Sequence, residues 1–228
     1  MAKLVWDASS ERLYETGVRN GVLYVQNNDG TYANGVAWNG LTAVTESPSG
    51  AEPTKLWADD INYLTMYSAE EFGLTVEAYT FPEEFYECDG TADVIGTGGL
   101  YFGQQSRKGF GFCYRTVVGN DVSGEDYGYK IHIAYGCKAS PSEKAYATIN
   151  DSPEAITFSW ELTTTPVAVT IGNVTYKPTS LLTIDSTKFT TEKQRQNLAA
   201  LEALLYGGDN TEASLPTPAV VYSTLTAN

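Results

Sequence analysis

Residues 71–80, EFGLTVEAYT, put Phe72, Leu74, Val76 and Ala78 on one side of an extended chain and Gly73, Thr75, Glu77 and Tyr79 on the other. A strict period of two is the mark of a strand with one buried and one wet face, and no helix can satisfy it. The same period returns at residues 127–140. There Tyr129, Ile131, Ile133 and Tyr135 oppose Lys130, His132 and Ala134. It returns again at residues 61–67, INYLTMY, with Ile61, Tyr63, Thr65 and Tyr67 against Asn62, Leu64 and Met66. A chain dominated by such segments folds around antiparallel sheets.

The remaining strands follow the same logic. Short extended pieces fill Leu13 to Val25, with Asn20-Gly21 and Asp29-Gly30 as hairpin turns. Ala37 to Glu46 reads as one strand, and SRKGFGFCYRTVVG pairs with YGYKIHIAYGCKAS across NDVSGED. EAITFSWELTTTPVAV and SLLTIDST add two more strands, while FPEEFYECDGTADVIGTGG is a loop or short helical turn. Thr191 to Tyr206 is the clear helix. Thr191 and Gln194 form a capping-box pattern, Leu198, Leu201, Leu204 and Leu205 an apolar stripe, and Gly207-Gly208 the stop. TEASLPTPAVVYSTLTAN reads as an arm or a short final helix. The expected class is α+β, mainly β: an antiparallel β-sandwich or barrel with one flanking α-helix and a long hairpin loop.

That loop is the anomaly. Between Trp38 and Asp60 the chain starts as a strand, breaks at Pro48-Ser49-Gly50, passes Glu52 and Pro53, and presents Leu56 and Trp57 beside two aspartates. A hairpin needs two to five loop residues, and this excursion takes roughly ten. Trp57 either meets another molecule or folds back onto its own core.

Composition narrows the function. The formal charge is −14, from 28 acidic against 14 basic residues. That excludes tight binding to a phosphate backbone, which Lys and Arg drive. No segment has the length of a signal peptide's apolar region or of a membrane span. Cys88, Cys113 and Cys137 are widely spaced and read as free thiols of a reducing cytoplasm, or else as one disulfide with a leftover thiol.

Catalytic signatures are missing from the pattern. His132 is the lone histidine and reads as a solvated or interface side chain on the Lys130 face. Gly96 to Gly103 lacks the lysine and hydroxyl residue that end a phosphate loop. Asp121, Glu125 and Asp126 lie close enough to suggest calcium, but in the wrong order for a calcium loop, so an acidic turn is expected. Glu83-Glu84 has no fixed separation from which to argue glycosidase chemistry. No catalytic, cofactor or metal residue is assigned. Two classes remain. One is a carbohydrate- or host-surface-binding sandwich with aromatic side chains on a rigid platform; the other is a self-assembling structural subunit with apolar anchors on an arm.

GVAWNGLTAVTESPSGAEPTKLWADDINYL, EEFGLTVEAYTFPEEFYECDG, EDYGYKIHIAYG, YATINDSPEAITFSWELTTTPV and SLLTIDS occur in this order. Together they resemble the major tail proteins of long-tailed phages of Gram-positive hosts, from about Leu4 to Leu215. The segment TPAVVYSTLTAN departs from the acidic helical ending of that family. The resemblance implies a structural virion protein without active site or cofactor, made in the host bacterial cytoplasm. Its copies would form hexameric rings, stacked into a tube that encloses a tape measure protein, meets tail tip and terminator proteins, and conducts DNA without binding it. Residues 1–215 would be one tail tube domain, and residues 216–228 a C-terminal arm. Within that picture, residues 46–60 reach the next ring. Pro48 and Pro53 stiffen the loop, Leu56 and Trp57 are its anchors, and Glu46, Glu52, Asp59 and Asp60 its polar rim. Thr75, Glu77, Ser159 and Glu161 are candidates for the lumen wall.

Overall fold

The computed structural model describes residues 4–96, 98–149, 151 and 154–227. In chain order the first strands are β1 (Leu13–Val25), β2 (Val36–Trp38), β3 (Leu41–Glu46), β4 (Ser49–Gly50), β5 (Pro53–Ala58), β6 (Ile61–Tyr67), β7 (Glu70–Glu71) and β8 (Gly73–Ala78). A 3-10 turn at Glu83–Glu87 leads to β9 (Ala92–Asp93), β10 (Tyr101–Phe102), β11 (Phe110–Asn120), β12 (Gly124–Ala139) and β13 (Phe158–Thr164). Then come β14 (Val167–Ile171), β15 (Val174–Thr179), β16 (Leu181–Asp185), α1 (Glu192–Tyr206) and α2 (Pro218–Leu225).

The main antiparallel sheet runs β2-β1-β11-β12-β13-β8-β3, with β16 added to β12. Its two end strands, β2 and β3, are separated in sequence only by Asn39-Gly40, so the sheet curls until its ends approach. Leu41 of β3 lies over Gly21 of β1 where they meet. The expected single strand from Ala37 to Glu46 is therefore two, broken at Gly40, whose φ of 76° turns the corner.

Asn20-Gly21 does not turn a hairpin either. β1 runs straight through it, paired with β11 on both sides, and the register shifts between Arg19 and Val22. Asn20 at φ 56° supplies the left-handed residue of a bulge. An Asn-Gly pair serves a bulge as well as a turn, and the long apolar partner strand decides which. Asp29-Gly30 does reverse the chain, with the Asn27 amide donating to Thr31 O at 2.8 Å across it.

The end of β1 (Gly21–Tyr24), most of β11 and the second half of β12 are buried on both faces, and this creates two cores. Inside the barrel, Trp38, Phe85, Phe112 and Trp160 meet mostly edge-on, with Phe85 delivered by the 3-10 turn. Outside it, Val22, Tyr24, Ile131, Ile133 and Tyr135 pack under Leu198, Leu201 and Leu205 of α1 and Val221 of α2. The expected capping box of α1 is present, with Gly207 following at its end. Of the arm or short final helix expected at the C-terminal segment, the structure shows the helix: α2 lies against α1, and the buried Asn197 amide donates to Leu225 O and Ala227 O at its end. All three cysteines are free and buried, and burial pushes the Cys88 and Cys113 thiols up to about 12.

Candidate assembly arm and polar outer face

The excursion after β3 is a hairpin. β3 and β8 continue beyond the barrel as a two-stranded ribbon, first β4 with β7, then β5 with β6. Residues 53–58, expected to be loop, are a strand, and the chain reverses at Asp59-Asp60, with φ of 50° and 59°. Asp tolerates the left-handed region because its short side chain can satisfy the local backbone. Pro53 opens β5, where a missing N–H costs least. Pro48 and Glu52 flank the short β4, so both lie in the kinked lower part of the ribbon.

Cross-strand partners share a face, and faces alternate along a strand. Leu56 opposes Leu64, Thr54 opposes Met66, and Ala58 opposes Ile61 on one face. Lys55 with Thr65, Trp57 with Asn62, and Pro53 with Tyr67 occupy the other, and a register shift lies beside Tyr63. Leu56 and Trp57 are thus not one anchor but one on each side. Neither folds back: Trp57 is 68% exposed, and Leu56, Ile61, Tyr63, Leu64, Met66 and Tyr67 lie between 43% and 72%. The return strand carries most of this apolar surface. Its signal was in the sequence, since INYLTMY is apolar on both of its alternating sides, unlike a strand with a wet face.

Glu46 departs from its expected rim position. It is the last residue of β3, and its carboxylate turns across the barrel end, where Tyr114 Oη donates to it at 2.6 Å. His132 Nδ1 lies 3.3 Å from the same oxygen. The expected solvated histidine is therefore buried, 7% exposed, stacked on Tyr114 with ring centroids 4.7 Å apart. Its other nitrogen is 3.0 Å from Thr116 Oγ1, which donates to Glu15 at 2.6 Å. Burial pushes His132 below its ordinary pKa, and the Glu46 and Glu15 carboxylates offset part of that. At Glu15 burial acts upward, but the Lys130 and Thr116 hydrogen bonds outweigh it and hold the carboxyl low. Strand alternation put His132 on the polar side correctly. It could not show that this side faces the barrel interior.

The two polar strand faces named as lumen candidates lie side by side on one face of the sheet. Ser159 pairs with Glu77 and Glu161 with Thr75, while Ala43 and Thr45 of β3 continue the same rows. All face away from the interior occupied by Leu74, Val76, Trp160 and Leu162. Among the described residues no cation pairs with Glu77 or Glu161. The arm is the direct extension of this wall.

Other acidic positions are used locally. Asp121 accepts from the Ser10 amide at 3.0 Å, and Glu125 pairs with Arg19 at 3.4 Å. Among the described residues no group of three or more His, Cys, Asp or Glu is placed to hold a metal. In the glycine run, Asp93 accepts from the amides of Ile95 and Gly98, which hold its carboxyl below the usual range. Glu83 and Glu84 open the 3-10 turn at its N-terminus. Of the four tryptophans, Trp38 and Trp160 are core, while Trp57 stands exposed on β5 and Trp6 exposed ahead of β1.

No protein-family model matches the chain, and no curated protein matches it. Among solved structures it is similar to a chain in a cryo-EM structure of the anti-feeding prophage (AFP) baseplate, 6-fold symmetrised. The TM-score is 0.35 at 10% identity, over 79% of this chain and 97% of that one.

Proposed function

We propose that the chain is a structural subunit of a phage tail tube, and that copies of it associate through the 46–71 ribbon into stacked, hexameric rings. The ribbon carries this reading. Seven large apolar side chains stand exposed on two faces of an arm whose own chain offers them no cover. Each face presents on the order of 400 Å² of apolar surface, about half of what one partner buries in a standard interface, so both must be covered. A second copy is the partner the tail protein resemblance favours. The tape measure, tail tip and terminator proteins are the further partners in this reading, and Pro218–Leu225 packs on α1 as α2. A sugar-binding reading needs aromatic side chains on a rigid platform, whereas the exposed Trp57, Tyr63 and Tyr67 stand on a two-stranded ribbon that projects from the barrel. Electron microscopy of the purified protein at rising concentration tests the class. Stacked rings with a central hole are expected, and monomers at every concentration that bind glycans would reverse it.

In that assembly the wall with Thr75, Glu77, Ser159 and Glu161 faces the lumen. Six copies would bring a formal charge of about −84, six times the −14 of one chain. Unpaired carboxylates on the wall repel phosphates and keep DNA from adhering as it passes. Glu77→Lys with Glu161→Lys should leave tubes intact and lower DNA delivery by about tenfold or more, read as infecting particles per assembled tail. Unchanged delivery would remove this wall from the lumen.

A further inference from the structure

We infer that Tyr114 is a positioning residue for the arm, acting by holding the Glu46 carboxylate where β3 leaves the barrel, with the His132 ring stacked behind it; this rests on reading the ribbon as an assembly arm. β3 ends the sheet path, so only β8 fixes it by ladder hydrogen bonds. Its last residue, Glu46, ties it instead to the opposite wall, accepting from Tyr114 Oη of β11 at 2.6 Å, with His132 of β12 stacked on that ring. Tyr114 is 3% exposed, and the stacked His132 ring is itself held by Thr116 of β11 and Thr183 of β16. A hydroxyl donating to a carboxylate is among the stronger and more directional hydrogen bonds. The other root of the ribbon is held separately, where Thr164 Oγ1 of β13 donates to Phe72 O at 2.6 Å.

The geometry makes this tie matter at a distance. From the root to Asp59 the ribbon spans at most about 40 Å, at ~3.3 Å per residue. A tilt of about 5° at the root would then move the tip by about 3 Å, enough to lose close side-chain packing against a neighbour. Without the tie, the ribbon would stay a hairpin but leave the barrel in a spread of directions, and docking would have to select one of them.

Hydrogen exchange on the full-length monomer tests the inference without needing assembly. The Ser47 amide, which donates to Gly73 O at 2.8 Å, reports on the root, and the β5–β6 amides report on the ribbon itself. Tyr114→Phe and Glu46→Ala should each speed exchange at Ser47 by about tenfold, the scale of one hydrogen bond to a charged group. The β5–β6 amides and the melting temperature should change little, and the concentration needed for tubes should rise. Glu46→Gln keeps an acceptor for Tyr114 Oη and should restore most of the protection. Unchanged exchange at Ser47 in Glu46→Ala would overturn the inference, and so would a uniform rise at all amides with a matching fall in melting temperature. Should the wild-type chain form no tubes, the assembly reading fails, while exchange at Ser47 still decides the tie.

Discussion

A chain carrying Trp57→Ala will keep the wild-type melting temperature and will form no tubes. The ring is 68% exposed on a ribbon that touches no core, so its removal takes almost nothing from the folded monomer. In a docked arm it becomes a large aromatic anchor near the tip. Truncating such an anchor costs about 2 kcal/mol or more per contact. In a hexameric ring six such contacts are lost at once, on the order of 12 kcal/mol per stacked ring, which exceeds any gain available from raising the concentration. Leu64→Ser, on the opposite face, should act in the same direction, because the proposed assembly covers both faces of the ribbon. Trp57→Phe should assemble at a higher threshold. Thermal unfolding, sedimentation and electron microscopy of the three variants give the readout. Tubes of normal abundance from Trp57→Ala would take the arm out of the mechanism.

Trp57 also marks where sequence reasoning stops. Alternation located the strands well: Ile131 and Ile133 face the helix-covered core, Leu74, Val76 and Ala78 the barrel interior, and the helix begins at its expected cap. A period of two names two faces but not what covers them. That is why His132 was assigned to solvent and lies against Tyr114 and Thr116. Turn chemistry was legible only where glycine announced it. Asp29-Gly30 turns as expected, whereas Asp59-Asp60 makes the sharpest reversal in the ribbon without a glycine. Asn20-Gly21, the strongest local turn signal, was overruled by tertiary pairing with β11. The arm was visible as an excess of length and an unplaced tryptophan. Its first strand, Pro53–Ala58, was hidden because Pro48-Ser49-Gly50 and Pro53 read as loop, and its second was legible as a strand but not as an uncovered one. The Glu46 tie joins residues on β3, β11 and β12 that nothing local in the sequence connects.

A large loss of monomer stability is expected from substitution at Gly136, where β12 changes neighbours. Before it, residues 130–134 pair with β16; after it, residues 137–139 pair with β13. The glycine sits at φ 59°, accepts from the Thr165 amide at 2.9 Å, and donates its own amide to Tyr32 Oη at 3.1 Å. A Cβ built there would fall 2.3 Å from Thr165 O and 3.2 Å from two more backbone atoms of the same residue. No flexible side chain can yield, so either β12 or the start of the β14 hairpin has to move. The left-handed conformation alone costs an L-residue about 1–2 kcal/mol. Displaced backbone and strained hydrogen bonds raise the total to about 3–5 kcal/mol. For a domain of this size each kcal/mol lowers the melting temperature by about 2–4 °C, so Gly136→Ala should lose about 6–20 °C. Gly30→Ala is the control. Its φ of 85° carries the same conformational penalty, but nothing lies within 4 Å of the new Cβ, and its loss should stay within about 2–8 °C. Equal losses in the two variants would mean that backbone conformation, not the contact with Thr165, limits this junction. A Gly136→Ala chain as stable as wild type would mean that β12 does not depend on the switch of partners there.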